Sequence, residues 1–271
     1  MKFGGRIFRW ALPGLTLLAP GMGSAAASPD PNWVALANDR PRDVLRALDR
    51  DAPTRAERLA WAAAQMSAQP ETDGNMRAAE EVFIALAKDH DEIAAEAAYL
   101  QARLYQLHFA QPDYPRAAEL YRQLAASQPH SHWAQLGLVK LALLELYLLP
   151  DGNRPGADRL APAEALLAQI REPQLQRDLH LQIAHAGIAL KQPLARILPH
   201  LVAADRIGGI AGTAHEDLLV QTGVLSLRAG LPAQAKGYFE RYLREYPTNV
   251  RAFTIRLKLA EAEKEIREGR R

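Results

Sequence analysis

Residues 214–249, AHEDLLVQTGVLSLRAGLPAQAKGYFERYLREYPTN, constrain the fold more than any other stretch. They read as two amphipathic helices joined by a tight turn at Gly230-Leu231-Pro232. Gly223 falls mid-way along the first helix, where a missing side chain lets a neighbouring helix pack close. Ala235 and Phe239 lie one turn apart on the second, a small residue then a large one, and Pro247 stops that helix. The rest of the chain suits such packing. Alanine and leucine dominate, aromatics are only 7%, and no long β-branched run alternates with polar residues. The fold class expected is all-α.

The order of small, turn, small, large and stop resembles the tetratricopeptide repeat, whose pattern ends in A-x3-F…P over a period of about 34 residues. Ala117 and Tyr121 before Pro129 repeat the device, as do Ala79 and Phe83. Trp133-x-x-Leu136-Gly137 matches the W-x2-L-G opening of the same signature, with Lys140 where tyrosine is usual. Pro129 and Pro247 are 118 positions apart (247 − 129), not a multiple of the period, and the turn-rich cluster Pro150–Gly156 reads as an insertion that absorbs the difference. The resemblance implies a right-handed α-solenoid of helix-turn-helix repeats over 41–271. Further helices are expected at 41–50, 54–68, 76–89, 92–109, 115–127, 160–171, 174–191 and 193–204, the last kinked by Pro199. A C-terminal helix at 249–268 is expected to cap the stack, with Phe253 and Leu257 covering the last pair.

The N-terminus carries Lys2, Arg6 and Arg9, then a short apolar run to Leu18 and a small-residue end, Ser24-Ala25-Ala26-Ala27. This is the layout of a cleavable signal peptide over 1–27, with 28–40 a linker rich in proline. The apolar run falls short of the ~20 residues a spanning helix needs, so no integral membrane span is expected after cleavage. Export to the periplasm, or secretion, is the expected outcome. The chain has no cysteine, which excludes disulfides, thiol chemistry and the acylated N-terminal cysteine of a lipoprotein. Removing the leader moves the formal charge from +2 to −1, and a nearly neutral protein lacks the basic field on which nucleic-acid binding rests.

No catalytic motif stands out. Gly208-Gly209-Ile210-Ala211-Gly212 follows a helix and precedes no Walker lysine, so it reads as an interhelical loop. His215-Glu216 lacks the second histidine of H-E-x-x-H. His180 and His185, five apart, splay around a helix instead of sharing a metal, and no cofactor is expected. Tyr238, Tyr242 and Tyr246 form a stripe that suits either core packing or an aromatic ligand platform. Residues 28–271 are filled by helical pairs, leaving no room for a separate catalytic fold.

In tetratricopeptide proteins the first helix of each pair lines a concave face that holds a partner's peptide segment or helix. Carried over by register from Ala102, Gly137, Gly223 and Phe253, that face comprises Tyr99, Arg103, Gln106, Leu138, Val220, Val224, Thr254 and Lys258. The resemblance therefore implies a non-enzymatic, exported adaptor for a partner protein. The other reading is an accessory helical domain, or an enzyme, acting on cell-envelope polymers.

Overall fold

The structure is a computed structural model, and it describes residues 30–150 and 158–269. The protein is all-α, 76% helix with no strand among the described residues, and its helices pack in neighbouring pairs. The leader and most of the loop expected at 150–156 lie outside the described residues.

The chain divides into two compact units, Met1–Val82 and Phe83–Arg271. The first holds α1 (Pro31–Ala37), α2 (Pro41–Ala47) and α3 (Arg55–Ser67), and the division falls within α4 (Asp73–Leu86). The proline spacing of 28–40 predicts a linker, but Asp30 caps a helix there. Its carboxylate accepts from the Asn32 N–H at 2.8 Å, and Pro31 takes the first turn, where no N–H is required. Thr54 caps α3 as its position predicts, in a reciprocal box. The Glu57 N–H reaches Thr54 Oγ1 at 3.1 Å, and the Thr54 N–H reaches Glu57 Oε2 at 3.0 Å.

The second unit contains α5 (Glu92–Arg103), α6 (Tyr114–Ser127), α7 (His132–Tyr147), α8 (Leu160–Leu166), α9 (Pro173–Ala189), α10 (Leu194–Ile207), α11 (Gly212–Arg228), α12 (Pro232–Glu245) and α13 (Ala252–Arg267). Asp91, Asp113 and Ser131 cap α5, α6 and α7 through their side-chain oxygens. From α5 to α13 each helix packs on the next, and α5, α7 and α9 also touch one another in that order. α5, α7 and α9 therefore form one row. Pro199 stands exposed within α10, which runs through it to Ile207.

Glycine against a large side chain is the repeated packing device. A Cβ on Gly223 would lie 2.5 Å from Phe239, one on Gly187 2.9 Å from Ile197, and one on Gly137 3.1 Å from Tyr121. Thirty-six positions (223 − 187) separate the two C-terminal glycines, close to the repeat period. Ala117 and Ala235 are fully buried beside Tyr121 and Phe239.

The end of the stack departs from expectation. Phe253 and Leu257 do not cover the last pair, being 68% and 57% exposed. Ala252, Ile255 and Ala262 take the buried side of α13. Two alanines flanking one isoleucine let α13 lie closer to α12 than a phenylalanine would, and the rotation this requires turns the larger residues outward.

Candidate functional site

The row formed by α5, α7 and α9 carries polar groups that internal partners do not neutralise. Its anchor is aromatic. The Tyr99 ring lies 5.3 Å from Trp133 and 5.9 Å from Tyr121, joining α5 to α7 and α6. One turn beyond Tyr99 stands Arg103, half-buried, and there the α-helix gives way to a π-helical turn, Leu104–His108. Such a turn holds one extra residue and rotates the side chains beyond it. Here it carries the Gln106 side chain inward beneath Arg103. Gln106 Oε1 accepts from Arg103 Nη1 at 3.1 Å and from the Tyr121 hydroxyl at 2.8 Å.

Two turns beyond Trp133, Lys140 stands in a leucine-rich helix and lies close enough to Arg103 for the two charges to oppose each other. Burial lowers the Lys140 ammonium from its ordinary range, Arg103 lowers it further, and Asp178 on α9 pulls the other way. Asp178 is already engaged, accepting from Arg177 Nε at 2.9 Å. Neither Arg103 nor Lys140 has a carboxylate within ion-pair distance among the described residues.

Glu96, two turns before Arg103, is the third such group. Burial pushes its carboxyl up to about 7, and Glu92 one turn earlier adds to the shift. A carboxyl raised in the folded chain binds its proton more tightly there than in the unfolded one. The resulting penalty is absent near pH 4, grows between about 4.5 and 7, and is complete above that. Glu96→Gln should therefore stabilise the protein above pH 7, by roughly 1–2 kcal/mol after allowance for solvent screening, and change nothing near pH 4. Thermal melts of both proteins at pH 4, 6 and 8 check this, and a gap that does not widen with pH would contradict it.

The sequence-derived face is only partly open. Tyr99, Gln106 and Leu138 are buried, so they hold the row together and offer no surface to a partner. The π turn accounts for Gln106, since a register that puts 99, 103 and 106 on one face requires an unbroken α-helix. Leu138 follows Gly137 into the shared core of α5–α9. Val220 and Val224 are half-buried against the separate cluster around Phe239. Thr254 is exposed on α13, and Lys258 is paired with Glu261 at 2.7 Å. The structure thus brings Tyr99, Arg103 and Gln106 together and leaves the residues of α11 and α13 apart from them. Glu96 and Lys140 were missed, although a charge set among alanines or leucines is a visible signal.

The tyrosine stripe is engaged inside the protein. Tyr242 is fully buried, the Tyr246 hydroxyl meets His215 Nδ1 at 2.9 Å, and Tyr238 hydrogen-bonds Asp205. Arg241 Nη1 donates to both Asp205 oxygens, at 2.9 and 2.8 Å, which fastens α12 to α10. His180 pairs with a histidine of another helix, not with His185: its Nδ1 lies 2.9 Å from Nδ1 of His200. His200 Nε2 faces Glu164 at 3.5 Å, and Glu164 is held by Arg196 through two bonds of 2.8 and 2.7 Å. Among the described residues no group of three histidines or carboxylates is arranged to hold a metal ion, and no helix is long and apolar enough to cross a membrane. A scan of protein-family models finds no match to this chain, and comparison with curated proteins finds no relative.

Proposed function

We propose that this chain is an exported, non-enzymatic interaction scaffold. Its helical pairs continue as a right-handed solenoid of tetratricopeptide-like repeats, and the row of α5, α7 and α9 receives a segment of a partner protein. One observation carries this reading: Glu96, Arg103 and Lys140 share that row, half-buried and without opposite charges of their own. Charges kept where they cost stability are a mark of functional surfaces, because the cost is recovered when a ligand supplies the missing partner. The leader-like residues 1–27 support export, and the mixed apolar and charged row suits a polypeptide better than a free sugar chain.

A photo-crosslinking lysine analogue that keeps the ammonium, placed at position 140 and expressed in the native host, tests this against the same residue at exposed Gln123 on α6. A discrete protein adduct from position 140 alone is expected in the envelope fraction. Equal labelling from both positions, or hydrolysis of cell-wall material by the purified protein, would overturn the proposal.

A further inference from the structure

We infer that Arg103 and Lys140 form a binding site for the carboxylate of an acidic side chain in the partner segment. This rests on the scaffold reading and names the chemistry that the row selects.

Arg103 is held by neutral groups. Its guanidinium donates to Gln106 Oε1, which also takes the Tyr121 hydroxyl, and the same hydroxyl lies within reach of the arginine. Both lone pairs of that amide oxygen are thereby used, and the π turn fixes the amide in place. The arginine is oriented without being neutralised. A guanidinium fork set in advance, with no carboxylate of its own among the described residues, favours a planar carboxylate.

Lys140 supplies the second charge. It makes no hydrogen bond or ion pair among the described residues, and Arg103 opposes its ammonium across the gap between α5 and α7. The one acid that acts on it within the row, Asp178, is taken by Arg177, which also donates to the Gly208 carbonyl at 3.1 Å. Two uncompensated cations on a half-dry surface repel each other, and an anion between them relieves both the repulsion and the desolvation cost. Half-buried Trp133, two turns before Lys140 and packed on the buried Tyr99 ring, provides an apolar neighbour for the residue flanking the acid.

The test uses the full chain and a fluorescein-labelled peptide of alternating leucine and glutamate, followed by fluorescence anisotropy. The peptide should bind, and the same peptide with glutamine for glutamate should bind at least about tenfold more weakly. Arg103→Met and Lys140→Met should each weaken the acidic peptide by a similar factor, while Lys140→Arg, which keeps the charge, stays within about threefold. Circular dichroism melts confirm that each variant is folded. Undiminished binding by both methionine variants, or no preference for glutamate over glutamine, would overturn the inference. So would inorganic phosphate competing at equal molar concentration, since the site would then belong to a small anion. A partner that crosslinks at position 140 yet binds the methionine variants normally would sink this inference and leave the scaffold standing. Loss of the crosslink itself would sink the scaffold.

Discussion

Gly223→Ala is expected to destabilise the second unit by about 1–2 kcal/mol, although alanine is the better helix former. Helix propensity alone favours the substitution by roughly 1 kcal/mol. The added methyl, however, would lie 2.5, 2.8 and 3.1 Å from three atoms of the Phe239 ring. That ring is fully buried, with Ala235 and Tyr242 beside it in the same cluster, so it cannot swing clear without moving α12. Overpacking of this kind costs about 1–3 kcal/mol and sometimes more, which outweighs the propensity gain. A drop of several degrees in the melting temperature should accompany it. Phe239→Leu in the same chain should recover part of the loss, giving a measurable coupling between the two sites. Gly237→Ala, on exposed α12 surface with nothing within 4 Å, should do the reverse and gain about 0.5–1 kcal/mol. Equal effects at the two glycines would contradict this account of the packing.

Acid should loosen the second unit through His180 and His200. Their Nδ1 atoms are 2.9 Å apart, a bond that needs one N–H and one lone pair. Glu164 faces His200 Nε2, so that nitrogen carries the proton, and His180 Nδ1 donates to His200 Nδ1. A further proton would set charge against Arg206 and Arg196, with Glu164 the acid that opposes them beside His200. Burial and His200 lower the His180 imidazole to about 4, from an ordinary 6.5, and burial lowers His200 as well. Both shifts depress the folded value. The unfolded chain therefore takes up protons first, so stability is complete above about pH 6.5 and falls as the pH drops toward 4. The loss through His180 should be on the order of 2 kcal/mol, less what solvent screens. His180→Asn keeps a donor for His200 but cannot ionise in this range. Its urea stability should lose about one proton's worth of slope between pH 6.5 and 4, and an unchanged slope would exclude the dyad as the source. Glu96 acts in the opposite direction over nearly the same range, so the Asn variant isolates the histidine contribution.

Much of the helical architecture was legible in the sequence, because its punctuation is local. Pro41, Pro115, Pro173 and Pro232 all open helices within their first two positions, and Thr54 caps its helix through a glutamate three residues on. The Gly223–Phe239 contact was legible too, since both partners have extreme sizes. Gly187 was harder to see because it faces Ile197, an ordinary residue in sequence. The candidate site was less legible, because which side of a helix faces outward depends on its rotation against its neighbours. Phe253 shows this directly: the smaller Ile255 took the inner position. His180 and His200 are twenty residues apart on separate helices, and no spacing rule links them.

The π turn at Leu104–His108 makes the length of the chain a determinant of the site. A π turn is what remains when one residue is inserted into a regular helix without disturbing the turns before it. Deleting a single residue there would let the segment rewind into ordinary geometry, so that a different side chain would stand where Gln106 now points inward. Gln106 would leave the Tyr121 hydroxyl, and the arginine above would lose its support. In a sequence alignment, a one-residue gap at this point would therefore mark loss of the site more reliably than a substitution of the arginine itself.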